Sequence, residues 1–102
     1  EFQDGKQTLS ENMADLAGVS CVVKCVDNSV DARKEFFTSY GKMWACKMSD
    51  YAVKFYAALD THSNNKVRVN AVLPMLDEFY ETYNVSEKDA MYVAPENRIS
   101  IW

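Results

Sequence analysis

Thr8-Leu9-Ser10-Glu11-Asn12-Met13-Ala14-Asp15-Leu16-Ala17-Gly18 decides how this chain is read. Leu9, Met13, Leu16 and Ala17, followed by Cys21 and Cys25, recur at three- and four-residue intervals, so one face of an α-helix is expected over residues 8–26. Glu11, Asp15, Gly18 and Val22 share a second face, on which the two carboxylates stand one turn apart. A pair placed like that can serve a metal, with one carboxylate as an oxygen ligand and the other holding a neighbouring imidazole. A plainer reading stands beside it. Thr8-Leu9-Ser10-Glu11 also matches a capping box, in which Glu11 only closes the first helical turn.

Outward from this helix, Asp27-Asn28-Ser29 interrupts the period, and a second helix is expected over residues 30–48. Phe36, Phe37, Tyr40, Met43, Trp44 and Met48 give it a wide apolar stripe that needs other elements to cover it. Ser49 reads as the N-cap of a third helix that ends near Leu59, with Ala52, Phe55, Tyr56 and Leu59 turned inward. Its end delivers the one histidine of the chain, in Asp60-Thr61-His62. Residues 61–70 are turn-rich and then briefly alternating, which reads as a loop aiming side chains into a cleft. Pro74 suits the first turn of a fourth helix with Leu76, Phe79, Tyr80 and Tyr83 inward. After Asn84 no helical period remains, and the chain ends on the alternating Arg98-Ile99-Ser100-Ile101-Trp102, whose last ring is expected to tuck into the structure. The expected fold is all-α: about four helices, a loop after the third, and a short extended C-terminal tail.

Composition narrows the function classes. With 102 residues, 48% hydrophobic and 13% aromatic, there is material for one modest core and one domain. Eleven basic and fifteen acidic residues give a net charge of −4, a poor match to nucleic acid or to an anionic membrane surface. No apolar run approaches the roughly 20 residues that span a bilayer, and Glu1-Phe2-Gln3-Asp4-Gly5-Lys6 is too polar for a signal peptide. A cytoplasmic location is expected, with export as the alternative if a leader lies upstream. Three cysteines, two of them one helical turn apart, argue against a secreted disulfide framework; Cys21 and Cys25 read as small buried thiols rather than as metal ligands.

Glu-Asn-x-Ala-Asp at residues 11–15, Asp-x-His-Ser at residues 60–63, Arg68 six residues after the histidine, and a terminal Trp together resemble the carboxyl-terminal end of the neprilysin family of zinc metallopeptidases. Arg68-Val69-Asn70, Asp77-Glu78-Phe79-Tyr80-Glu81, Met91-Tyr92 and Pro95-Glu96-Asn97-Arg98 resemble its bacterial oligopeptidase O branch in particular. The resemblance covers nearly the whole chain. It implies part of a larger, mainly helical gluzincin catalytic domain, in which an H-E-x-x-H helix outside this sequence supplies two zinc-binding histidines and the water-activating glutamate. Residue by residue it implies that Glu11 is the third zinc ligand and that Asp15 hydrogen-bonds a ligating histidine. It implies that His62 stabilises the oxyanion of the tetrahedral intermediate, that Asp60 orients His62, and that Arg68 grips a carbonyl of the peptide substrate. Met43 and Trp44 fall where the family lines the pocket for the side chain just after the scissile bond.

Two departures are visible. Asn64 stands where the family often has Pro after His-Ser, which predicts a looser loop, and Ile99 stands where animal members carry Cys, in keeping with a disulfide-free bacterial protein. Because the H-E-x-x-H helix is missing from this sequence, the chain is expected to be a single partial domain, inactive alone and without a tight Zn2+ site. Its partner would be the remainder of the catalytic domain. Without that remainder, self-association through the bare face is expected, with the first residues the least ordered. The alternative is a non-catalytic, all-helical binding or scaffold module that kept the fold only.

Overall fold

Asp4 starts the first helix: its carboxylate accepts hydrogen bonds from the backbone N–H groups of Lys6 at 2.9 Å and Gln7 at 3.5 Å, satisfying donors that a helix start leaves open. The computed structural model describes residues 4–102, so the expectation about the opening residues lies, for Glu1 to Gln3, outside the described residues. Helix α1 is Gly5–Val23. This corrects two expectations. The helix begins a turn earlier than residue 8, so Thr8 and Glu11 sit inside it and form no capping box; the Thr8 hydroxyl instead donates to the Asp4 carbonyl at 3.0 Å. At its far end the Cys25 and Val26 N–H groups bond three residues back, to Val22 and Val23, a tightening that ends the α-helix although the apolar period runs on. Cys21 and Cys25 are exposed thiols, not buried ones, because the core-facing stripe runs through Leu16, Val19 and Val23.

Ser29 caps α2, Val30–Trp44, by accepting from the Ala32 N–H at 3.2 Å. The helix stops four residues short of the expected 48. Asn65 Nδ2 donates to the Trp44 carbonyl at 2.9 Å, occupying an acceptor that a further turn would use, and Ala45 is extended. Ser49 caps α3, Asp50–Leu59, as its sequence predicts. The inward face expected of α3 is not inward: none of its residues is buried, Phe55 and Tyr56 are exposed, and Leu59 is 66% exposed. No other described helix packs extensively against it.

Where a loop was expected over residues 61–70, a short helix α4, Asn65–Asn70, forms. Asn64 is the reason: its side-chain oxygen accepts from the Val67 N–H at 3.0 Å, so the residue found in place of Pro stiffens this segment by capping it. Pro74 lies in a 3-10 turn, Leu73–Met75, and α5, Asp77–Tyr83, follows. Asn84 ends α5 in the left-handed conformation at φ 52°, a C-terminal signal that Asn tolerates. The described residues thus hold five α-helices, two 3-10 turns and no strands, the all-α class expected with one helix more.

The core is one cluster: Leu16, Val19 and Val23 of α1, Phe37 of α2, Val72, Leu73 and Leu76 around the 3-10 turn, and Phe79 of α5. Phe37 meets Phe79 edge to face at 5.8 Å, the arrangement that ring quadrupoles favour. Tyr80 is only partly buried and Tyr83 is exposed, so the α5 stripe is narrower than expected. The tail is pinned by Arg98, whose guanidinium lies 3.5 Å from the centre of the Tyr80 ring and donates from Nε to the Val93 carbonyl at 2.8 Å. Trp102 does not tuck in. It is 70% exposed; its indole N–H reaches the Ala17 carbonyl at 3.3 Å and leaves the ring lying on the surface of α1.

Candidate active site

Asp60 follows the last residue of α3 in an extended conformation, and its carboxylate folds back on the turn it begins. Oδ1 accepts from the His62 backbone N–H at 3.0 Å and lies 2.8 Å from His62 Nδ1. These hydrogen bonds, the backbone one first, hold the Asp60 carboxyl below its ordinary pKa. On the other side of the ring, His62 Nε2 stands 3.3 Å from Oε2 of Glu11, on α1. The imidazole is therefore held between two carboxylates. The Asp60 carboxylate can only accept, so Nδ1 turns its hydrogen toward Asp60 and Nε2 faces Glu11. All three side chains keep about two-fifths of their surface in solvent, so the group is accessible.

One turn along α1, Asp15 meets Arg68 of α4 in a two-pronged pair: Arg68 Nε donates to Oδ2 and Nη2 donates to Oδ1, both at 2.7 Å. The pair is close to dry, with side-chain exposures of 15% for Arg68 and 14% for Asp15. The guanidinium also lies 3.8 Å from the centre of the Trp44 ring. The hydrogen bonds to Asp15 raise the Arg68 pKa further, against the opposing effect of burial. Tyr40 completes the arrangement by donating its hydroxyl to the Arg68 carbonyl at 2.9 Å.

The residues singled out in the sequence thus gather in two adjoining groups. Glu11, Asp60 and His62 form one; Asp15, Arg68 and Trp44 form the other. Met43 is exposed and lines, with Asp15, Gly18, Tyr40 and Trp44, an open groove of about 280 Å³ between α1 and α2. The mutual bond of Asp15 and Arg68 was not foreseen, since the resemblance assigned each of them a different partner. Tyr40, Asn12 and Ser63 were likewise given no role. Asn12 and Ser63 lie inside the two motifs, and their polar side chains beside Glu11 and His62 are the signal that points to them.

The donor set suits zinc as one contribution to a site. Glu11 offers a carboxylate oxygen, the ligand type found beside two imidazoles in open zinc sites. Among the described residues no group of three or more His, Cys, Asp and Glu side chains is placed to hold a metal ion, so further ligands would have to come from outside them.

Residues 2–99 match peptidase family M13. The chain belongs to that family. Among the proteins that this M13 chain is similar to are the neutral endopeptidase of Lactobacillus helveticus, 37% identical over 99 residues, and that of Lactococcus lactis subsp. lactis, 39% identical over 100 residues. Each alignment takes in 97% of this chain and only 15% or 16% of the relative. Neprilysin-3 of Drosophila melanogaster is 27% identical over 114 residues, covering 97% of this chain and 14% of that protein. The M13 chain therefore spans about one-sixth of the length of the bacterial relatives it matches. No solved structure matches it significantly. No described helix is long and apolar enough to cross a membrane.

Proposed function

We propose that this chain contributes the third metal ligand and the transition-state stabilisers to a zinc-dependent endopeptidase that hydrolyses oligopeptides. The observation that carries the reading is His62 held between Asp60 and Glu11, residues that meet across some fifty positions of sequence inside an M13 match. Glu11 would hold the zinc together with two histidines from the remainder of the catalytic domain, of which these residues are the carboxyl-terminal part. When bound, zinc supplies a nucleophilic water at neutral pH and polarises the scissile carbonyl.

The chain's own residues account for the rest. His62, with Nδ1–H fixed on Asp60, presents Nε2 as a donor to the oxygen that gains negative charge in the tetrahedral intermediate. A preorganised donor of that kind contributes about 3–4 kcal/mol in comparable hydrolases. Arg68 uses two of its five N–H groups on Asp15, which fixes the plane of the fork and leaves the others for a substrate carbonyl. Asp15 keeps unused lone pairs on both oxygens and so can also accept from a ligating histidine. Met43 and Trp44, on the groove wall beside that fork, would receive the side chain that follows the scissile bond.

Metal analysis of the full-length polypeptide tests the ligand assignment. Glu11→Ala should lose zinc on dialysis while the parent keeps one equivalent. Full zinc retention by the variant would remove Glu11 from the site and favour a module that kept only the fold.

A further inference from the structure

Two side-chain hydrogen bonds tie α1 to the turn that carries His62, one before and one after the histidine in sequence. Ser63 Oγ donates to Asn12 Oδ1 at 2.6 Å, and Gln7 Nε2 donates to the Asp60 carbonyl at 2.7 Å. They span 51 and 53 positions of sequence. The first continues inward as a chain with a single direction: Asn12 Nδ2 donates to Thr8 Oγ1 at 3.2 Å, and the Thr8 hydroxyl donates to the Asp4 carbonyl at 3.0 Å. Ser63 and Thr8 are 5% and 3% exposed, so these hydroxyls cannot fall back on water.

A serine just before a helix ordinarily caps it, but Asn64 takes that role for α4. The Ser63 hydroxyl is thereby left for the long-range bond. Asn12 follows Glu11 and Ser63 follows His62, so the Ser63–Asn12 bond sets the distance between the two backbones that bring Nε2 and Oε2 to 3.3 Å. Linked bonds in a dry site reinforce one another and tolerate little displacement.

We infer that the Ser63–Asn12–Thr8 relay, with Gln7 as a second tie, consists of positioning residues that hold the His62 ring against Glu11 in register for peptide hydrolysis. The inference rests on the function proposed above for His62, but its geometric half can be read without activity. In the full-length protein, the His62-containing peptide is followed by mass spectrometry after brief diethyl pyrocarbonate labelling, alongside zinc content, kcat and KM. The variants are Ser63→Ala, which empties the relay, and Gln7→Ala, a milder change at a partly exposed helix position where Ala is well tolerated.

Both variants should label His62 several-fold faster than the parent, retain zinc, and keep KM within about twofold while kcat falls about tenfold to a hundredfold, the scale of a misplaced catalytic group. Unchanged His62 labelling in both variants overturns the relay whatever happens to activity. Faster labelling with unchanged kcat supports the relay as the device that holds the ring and overturns instead the hydrolytic role of His62.

Discussion

Arg68 holds Asp15 by two parallel hydrogen bonds of 2.7 Å that join α4 to α1 across 53 positions of sequence. Because the pair is nearly dry, removing one partner strands a charge. Arg68→Ala should destabilise the fold by about 1–3 kcal/mol, and Arg68→Lys should recover little, since an ammonium cannot reproduce the fork. The double variant Asp15→Ala with Arg68→Ala should be milder than the sum of the singles by about 1–3 kcal/mol. Urea unfolding of Asp15→Ala, Arg68→Ala, Arg68→Lys and the double variant checks this; strict additivity would mean that the pair is not a coupled unit.

Tyr40 and Asp60 predict how stability changes at the extremes of pH. Burial first, and the Asp15 charge second, push the Tyr40 hydroxyl above its ordinary value of 10. The folded state then binds the proton more tightly than the unfolded chain, so this contribution is complete below about pH 10 and is lost as pH rises through the raised folded value. Asp60 has the opposite sign: its contribution is present above the ordinary 3.8 and is lost as pH falls through the lowered folded value. Thermal melts from about pH 9 to about pH 12 should show a decline that is shallower in Tyr40→Phe. An identical slope in that variant would contradict the assignment.

The 102-residue chain expressed alone should bind zinc only weakly, because a single ligating carboxylate and the His62 ring do not make a three-ligand site. It should also self-associate, and the exposed face of α3 is the surface expected to meet its copy. Tyr51, Phe55, Tyr56 and Leu59 leave α3 with a bare aromatic and aliphatic face. Zinc calorimetry and concentration-dependent light scattering test the two halves. A tight stoichiometric site lost on Glu11→Ala, or scattering unchanged by the double substitution Phe55→Ser, Leu59→Ser, would contradict them.

Much of this was legible in the sequence wherever a local signal and a tertiary need agreed. Ser29 and Ser49 start helices where their positions before apolar stripes say they should, and Phe37, Leu76 and Phe79 fill the core as helical spacing requires. The misses share one cause: period identifies a face but not what the face meets. Phe55, Tyr56 and Leu59 form a genuine stripe that stays exposed, and Trp102 is a large ring left on the surface of α1. Turn-rich composition and alternating valines point to a loop over residues 61–70, and the helix at Asn65–Asn70 depends on the Asn64 cap, which composition does not reveal. At the site, Asp60 beside His62 lay within the Asp-x-His-Ser motif that carries the resemblance, two positions apart; Asp15 with Arg68, and Ser63 with Asn12, are bonds across more than fifty positions that no spacing rule contains.

In the proposed function His62 acts on the transition state rather than on the metal or on substrate binding. Steady-state kinetics of full-length His62→Ala, with zinc measured on the same sample, tests it most directly. Loss of one oxyanion donor predicts kcat lower by about a hundredfold to a thousandfold, with zinc retained and KM nearly unchanged. A variant that raised KM alone while kcat stood, or that lost its zinc, would contradict the account.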